Sequence, residues 1–168
     1  MAWDEAFSAG VPSTVVIQWW RKKTPEVRDA AAHTGHALML SPVDQVYFDY
    51  PQGPGESGAP WEGNDNGPTS IGKILRWQPI PAGLSVAEAL QVSGVEAAVR
   101  TEFIRSEHYL DYMLYARLAA FAEVAWARNG QQDPEQFARN MAPRLEAMRA
   151  RGLHVRRGPD DAVEFQTH

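Results

Sequence analysis

Gly94-Val95-Glu96-Ala97-Ala98-Val99-Arg100-Thr101-Glu102-Phe103 is the stretch on which the fold turns. Val95 to Val99 is short, small and mostly apolar, the text of a strand covered on both faces. It ends abruptly at a charged residue, and a long helical pattern follows. Glu102 then falls where a strand hands over to a loop. In a barrel of alternating strands and helices such strand ends carry the chemistry, because the mouth is wet and the interior is not. A solvated loop glutamate fits the same spacing.

Working outward, Thr14-Val15-Val16-Ile17-Gln18-Trp19-Trp20 is a β-branched run after the turn Gly10-Val11-Pro12-Ser13. It reads as a buried strand with Trp20 near its C-terminal end. Thr24-Pro25-Glu26 supplies an N-cap, a first-turn proline and an acidic residue, and the helix continues through Val27 to Ala32 until Gly35 ends it. His36 to Ser41 is a second short apolar strand. Strand, helix and strand within about 30 residues make a βα unit, which implies a parallel sheet and places the chain in the α/β class. In Val46-Tyr47-Phe48-Asp49-Tyr50 the alternation sends Tyr47 and Asp49 to one face and Phe48 to the other. A phenol and a carboxylate side by side suit recognition of hydroxyl and amide groups; a half-exposed sheet edge has the same text.

The remaining segments are read in the same way. Met1-Ala2-Trp3-Asp4-Glu5-Ala6-Phe7 starts without a lead-in, as the end of one element running into a helical turn, which predicts structure upstream. Pro51 to Pro68, with its single Trp61, is a long loop of a kind that is usually functional or mobile. Ile74 to Pro81 has no decisive period, and Ser85 to Leu90 is one or two helical turns. Leu110, Met113, Leu114, Leu118, Phe121 and Ala125 then repeat at helical spacing, with Asp111, Arg117 and Arg128 expected to face away. Asp133-Pro134-Glu135-Gln136 is a capping box that opens a last helix towards Arg151, stopping at Gly152. Pro143 is expected to kink or divide it, and the polar tail 153–168 to fray. No solenoid-length repeat is present, so residues 1–152 form one domain or part of one.

Composition excludes several classes. The chain of 168 residues is 44% hydrophobic and 22% charged, an ordinary globular make-up. Its net charge of -5 has no basic stripe, which argues against nucleic acid as a partner. No apolar run reaches the ~18 residues of a membrane span, so no membrane partner is expected. No basic start leads into an apolar stretch, and the absence of cysteine leaves the compartment open. The histidines lack metal-ligand spacing, the glycines of the 51–68 loop do not join a strand to a helix, and no Gly-x-Ser-x-Gly elbow occurs. No cofactor is implied. Asp4-Glu5 is a tempting carboxylate pair, but adjacent acids opening a helix read first as partners of its dipole. Six tryptophans exceed what a small core requires, and indole faces suit sugar C–H faces.

Taken together, Trp3-Asp4-Glu5, Gln18-Trp19-Trp20-Arg21, Gly35-His36 with Ser41-Pro42, Tyr47-Phe48-Asp49-Tyr50, Gly94 to Glu102, and Tyr112 to Ala119 with Ala122-Glu123-Val124-Ala125-Trp126 resemble glycoside hydrolase family 20, the β-N-acetylhexosaminidases. The match is collinear from Trp3 to about Gly152. It implies part of a TIM (β/α)8 barrel, roughly strands five to eight with their helices. It also implies retaining hydrolysis of terminal β-linked N-acetylglucosamine or N-acetylgalactosamine, with the substrate's own acetamido oxygen as nucleophile.

By position, Tyr47 matches the tyrosine that holds the acetamido group. Asp49 and Glu102 match acids that hold sugar hydroxyls, and Trp3 and Trp20 match indoles that wall the acetamido pocket. Arg100 stands where the family has a tryptophan flooring the sugar, and Ala116 replaces a proline. The family's Asp-Glu acid/base pair lies on a fourth strand, before Met1; Asp4-Glu5 is not that pair. Loss of general acid catalysis alone costs ~10²–10⁴-fold, so the chain by itself is expected to be an inactive fragment. Its expected partners are N-acetylhexosamine glycans and either the missing N-terminal half or a second copy. Full-length relatives are often secreted or periplasmic. The rival reading is a non-catalytic carbohydrate-binding or assembly module built on a half barrel.

Overall fold

The computed structural model describes residues 1–60, 67–127 and 132–156. Its centre is a four-stranded parallel sheet in the order β1 (Ala2–Trp3), β2 (Ile17–Trp19), β3 (Leu38–Leu40) and β4 (Val92–Val95). Ile17 pairs with Leu38 and Trp19 with Leu40, so these four point to one face, where Ala31 and Ala32 of helix α1 (Pro25–His33) cover them. Gln18 and Met39 point to the other. The α/β reading and the parallel βα unit hold.

The strand expected over 95–99 begins earlier, and the later stretch is where it changes partner. A bulge between Leu38 and Met39 brings Gly94 opposite Met39 and Val95 opposite Leu40. The Glu96 N–H then donates to the Leu40 carbonyl. Beyond that β3 has ended at Leu40, and after Ser41 and Pro42 the short helix α2 (Val43–Val46) follows. Ala98 therefore bridges to Tyr47, its N–H donating to Val46 O and its carbonyl accepting from the Phe48 N–H. Segment 46–50 is thus a single bridge rather than a strand, although its alternation holds: Phe48 enters the helical core while Tyr47 and Asp49 face elsewhere.

Helix α3 (Ile71–Arg76) occupies the stretch with no decisive period, started by Ser70, whose Oγ accepts from the Lys73 N–H at 3.2 Å. Ser85 and Glu88 close a reciprocal cap on α4 (Val86–Ala89). Thr24 does not cap α1; its hydroxyl turns to the Arg21 carbonyl and the buried Asp4 instead.

Helix α5 (Glu107–Trp126) is rotated from the expected orientation. Met113, Ala116, Arg117, Ala120 and Val124 are buried, whereas Leu118 is 45% exposed. Small residues let α5 lie close to α3 and to the 48–52 backbone, which outweighs the larger Leu stripe. Arg117, expected outside, has no exposed surface. Arg128 lies outside the described residues, as does Trp61.

Helix α6 (Pro134–Ala150) runs unbroken through Pro143, held by Phe137, Met141 and Leu145 on one stripe of the core. Asp133 caps it at Gln136 N, and Gly152 adopts a positive φ just past its end. The chain then does not fray at once: Val155 is buried, and Arg156 pairs with Glu56. Residues 157–168 of the expected tail lie outside the description.

Candidate functional site

Because the four strands are parallel, all their C-terminal ends open on one side. Trp3 closes β1, Trp20 follows β2, Tyr47 and Asp49 follow β3, and Arg100 and Glu102 follow β4. These six line one cavity of about 930 Å³, together with Tyr50, Phe103 and the Ala59-Pro60 wall of the 51–60 loop.

The aromatic lining is continuous. Trp20 stacks on Tyr47 at 6.4 Å between centroids, and Tyr47 on Tyr50 at 6.3 Å. The Trp20 indole N–H donates to Glu5 Oε1 at 3.1 Å, which fixes the plane of the ring. The Arg100 guanidinium lies 5.6 Å from the Trp3 ring centroid and 5.8 Å from that of Tyr47. Burial pushes the Tyr47 phenol above its ordinary value, with Arg100 pulling the other way, so it is a neutral hydroxyl donor at pH 7.

Asp49 is almost fully buried, and its Oδ1 accepts the backbone N–H of Arg100 at 3.2 Å. That bond ties the segment after β3 to the segment after β4. Burial raises the Asp49 carboxyl, opposed chiefly by this N–H. Glu102 sits in a 3₁₀ turn, Thr101–Phe103, exposed at the rim.

Asp4 is not a helix-dipole partner at the surface. It is fully buried at the start of a 3₁₀ turn, Asp4–Ala9, with Arg21 Nε on its Oδ2 at 3.0 Å. Burial raises its pKa while Arg21 lowers it. The pair anchors the segment after β2 beneath the cavity. Among the described residues no group of three or more acidic or histidine side chains could hold a metal ion, and no helix is long and apolar enough to cross a membrane.

The supports of this cavity run back to α5. Arg117 donates to the carbonyls of Met113, Phe48, Tyr50 and Thr69. Glu56 receives Arg156 at 2.7 and 2.9 Å and the Tyr112 hydroxyl at 2.8 Å, which clamps the loop that ends in the Ala59-Pro60 wall.

An aromatic-walled cavity with a few polar side chains at the C-terminal mouth of a parallel sheet agrees with the sequence relationships. The family model described as glycosyl hydrolase family 20, catalytic domain, matches residues 1–129. The chain belongs to glycosyl hydrolase family 20. The β-N-acetylhexosaminidase of Cellulomonas fimi is 33% identical over 144 residues, covering 84% of this chain and 28% of that protein. A β-hexosaminidase of Porphyromonas gingivalis is 25% identical, covering 84% of this chain and 18% of that one. Among solved structures, the family 20 exo-β-N-acetylglucosaminidase of Vibrio harveyi in complex with N-acetylglucosamine aligns with a TM-score of 0.79 and 26% identity, covering 94% of this chain and 24% of that one. The family 20 β-N-acetylhexosaminidase of Streptomyces coelicolor A3(2) aligns at 0.77 and 27%, covering 94% and 32%. This family 20 chain thus spans less than a third of the length of the relatives it matches, and its parallel α/β fold is similar to their barrel domains.

Sequence reasoning left out Tyr50, Phe103 and the basic run Arg21-Lys22-Lys23, all of which reach the cavity. The run stands directly after the strand end at Trp20, a position that could have drawn it in.

Proposed function

We propose that this chain is the sugar-holding part of a β-N-acetylhexosaminidase site that acts on terminal β-linked N-acetylglucosamine or N-acetylgalactosamine. The observation that carries the reading is the convergence of Trp3, Trp20, Tyr47, Asp49 and Glu102, from four successive strand ends, on one cavity. Indoles and stacked phenols exclude water, and the neutral Tyr47 hydroxyl donates to an acetamido oxygen, holding it against the anomeric carbon. Asp49 and Glu102 accept from sugar hydroxyls and fix the ring. The acetamido oxygen attacks the anomeric carbon as the glycosidic bond breaks. Water then opens the cyclic intermediate with net retention.

The step these residues do not supply is protonation of the leaving oxygen. The resemblance assigns it to an Asp-Glu pair on a strand preceding β1, and β1 lies at an edge of the sheet where such a strand would pair. The four strands are read as roughly the fifth to eighth of a (β/α)8 barrel.

The test has two arms with a chromogenic N-acetylglucosaminide. The 168-residue chain alone is expected to show no turnover. A chimera in which it replaces its matching segment in the Cellulomonas fimi relative is expected to hydrolyse the substrate. Enzyme-level rates from the chain alone, or a folded chimera without activity, would overturn the reading.

A further inference from the structure

The cavity brings cationic and acidic side chains together in nearly equal number. Arg21, Lys22, Lys23 and Arg100 line it against Glu5, Asp49 and Glu102, in a chain whose net charge is -5. Two of these acids are turned to other donors, Asp49 Oδ1 to the Arg100 backbone and Glu5 Oε1 to the Trp20 indole, while the buried Asp4 holds Arg21. Arg21 is thus matched by a carboxylate at 3.0 Å.

Arg100 is placed differently. Among the described residues its guanidinium forms no ion pair; the Tyr47 hydroxyl is the neighbour that acts on it most strongly, and Asp49 and Glu102 act on it at longer range. It is exposed, and it lies across the Trp3 and Tyr47 rings. The rings and the Tyr47 hydroxyl restrain the guanidinium and leave its other N–H donors in its plane. That planar fork fits two oxygens of one anionic group, at charge-assisted distances of ~2.7–2.9 Å. A hydroxyl offers one oxygen and no charge, so it uses such a fork poorly.

We propose that the cavity takes an acidic amino sugar, an N-acetylhexosamine carrying a sulfate, phosphate or carboxylate group, with Arg100 gripping that group. The proposal rests on the amino-sugar reading above and adds the charge of the substrate to it. Arg100 becomes the residue that selects among amino sugars. Asp49 remains available for the backbone of position 100 whatever side chain stands there, so side-chain substitutions leave the Asp49 bond in place.

The test is a titration of the 168-residue chain followed by saturation-transfer NMR, which reads millimolar binding. The ligands are N-acetylglucosamine, its 6-sulfate and 6-phosphate, N-acetylmuramic acid, and glucose 6-sulfate. At least one acidic N-acetyl sugar is expected to bind tenfold or more tightly than N-acetylglucosamine. That preference should vanish in Arg100→Gln, persist in part in Arg100→Lys and shrink with added salt. Which acid wins identifies the anionic group.

Equal binding of neutral and acidic sugars, a preference that survives in folded Arg100→Gln, or silence from every sugar would overturn the proposal. So would equal binding of glucose 6-sulfate and the N-acetylated sulfate, since the acetamido group would then be unread. Failure of the amino-sugar reading itself is seen separately, in loss of turnover by the chimera on a neutral substrate.

Discussion

The guanidinium of Arg117 is buried face-on against Phe48, 5.0 Å from its ring centroid, and donates to that residue's own carbonyl. A cation with no exposed surface holds the backbone of the two residues that flank Asp49. Burial pulls Arg117 down to about 9, so it is charged at pH 7 with its donors spent on carbonyls. Arg117→Met keeps much of the volume and removes every donor. Each buried carbonyl left unmet costs ~1–3 kcal/mol, so a loss of about 3 kcal/mol or more is expected in urea unfolding. A loss below about 1 kcal/mol would show that these carbonyls find water instead.

Asp49 gives a pH-dependent prediction. Its folded pKa is raised by burial, so the folded state holds its proton to higher pH than the unfolded chain does. The stabilising contribution is full below the unfolded value and is lost as pH rises through the folded one. Asp49→Asn keeps an oxygen for the Arg100 N–H and has no charge to bury. Relative to wild type, its stability should improve from pH 3 to pH 7 in parallel denaturant series. A stability difference independent of pH would contradict the burial argument.

Two glycines should respond differently to alanine. A Cβ on Gly58 would lie 2.5 Å from Pro51 backbone N and 2.9 Å from Asp49 O, so the loop must move. A cost of about 1–3 kcal/mol is expected for Gly58→Ala. At Gly94 the nearest atoms belong to the Met39 side chain at 3.5 Å, and Gly94→Ala should change stability by no more than ~0.5 kcal/mol. Thermal melts of the two variants side by side decide this.

The Glu56 clamp predicts a local effect. Glu56→Gln weakens the contacts to Arg156 and Tyr112, worth about 1 kcal/mol for a partly exposed pair. Hydrogen exchange should accelerate at the Ala59 amide, which is bonded to Asp49 O at 2.7 Å, more than in the β-sheet. Uniform acceleration would mean the clamp serves global stability alone.

Much of this architecture is written locally. Ile17-Gln18-Trp19 and Leu38-Met39-Leu40 announce strands by their apolar text, Thr24-Pro25 and Gly35 bracket α1, and Ser85 to Leu90 reads as the short helical turn it is. What escaped depends on distant partners. Helix α5 is apolar nearly all round, so its own sequence does not choose between the Leu118 side and the Ala116–Arg117 side. That choice is made by carbonyls at 48, 50 and 69, far away in the chain. The start of β4 escaped for a similar reason, since its register is set by a bulge against Leu38 and Met39. Tyr47 with Asp49 is legible from alternation and Glu102 from its strand end, whereas Arg100 joins them only through the resemblance to family 20.

The strand order has a consequence for biogenesis. Each strand lies beside its predecessor in the chain, so a strand leaving the ribosome meets an edge already formed by the one before it. The sheet can grow vectorially during synthesis. Arg117 and Arg156 emerge long after Phe48 and Glu56, and lock the nascent mouth only when α5 and α6 arrive. A nascent chain that has emerged only as far as residue 106 should therefore carry a paired sheet whose mouth is still unfastened.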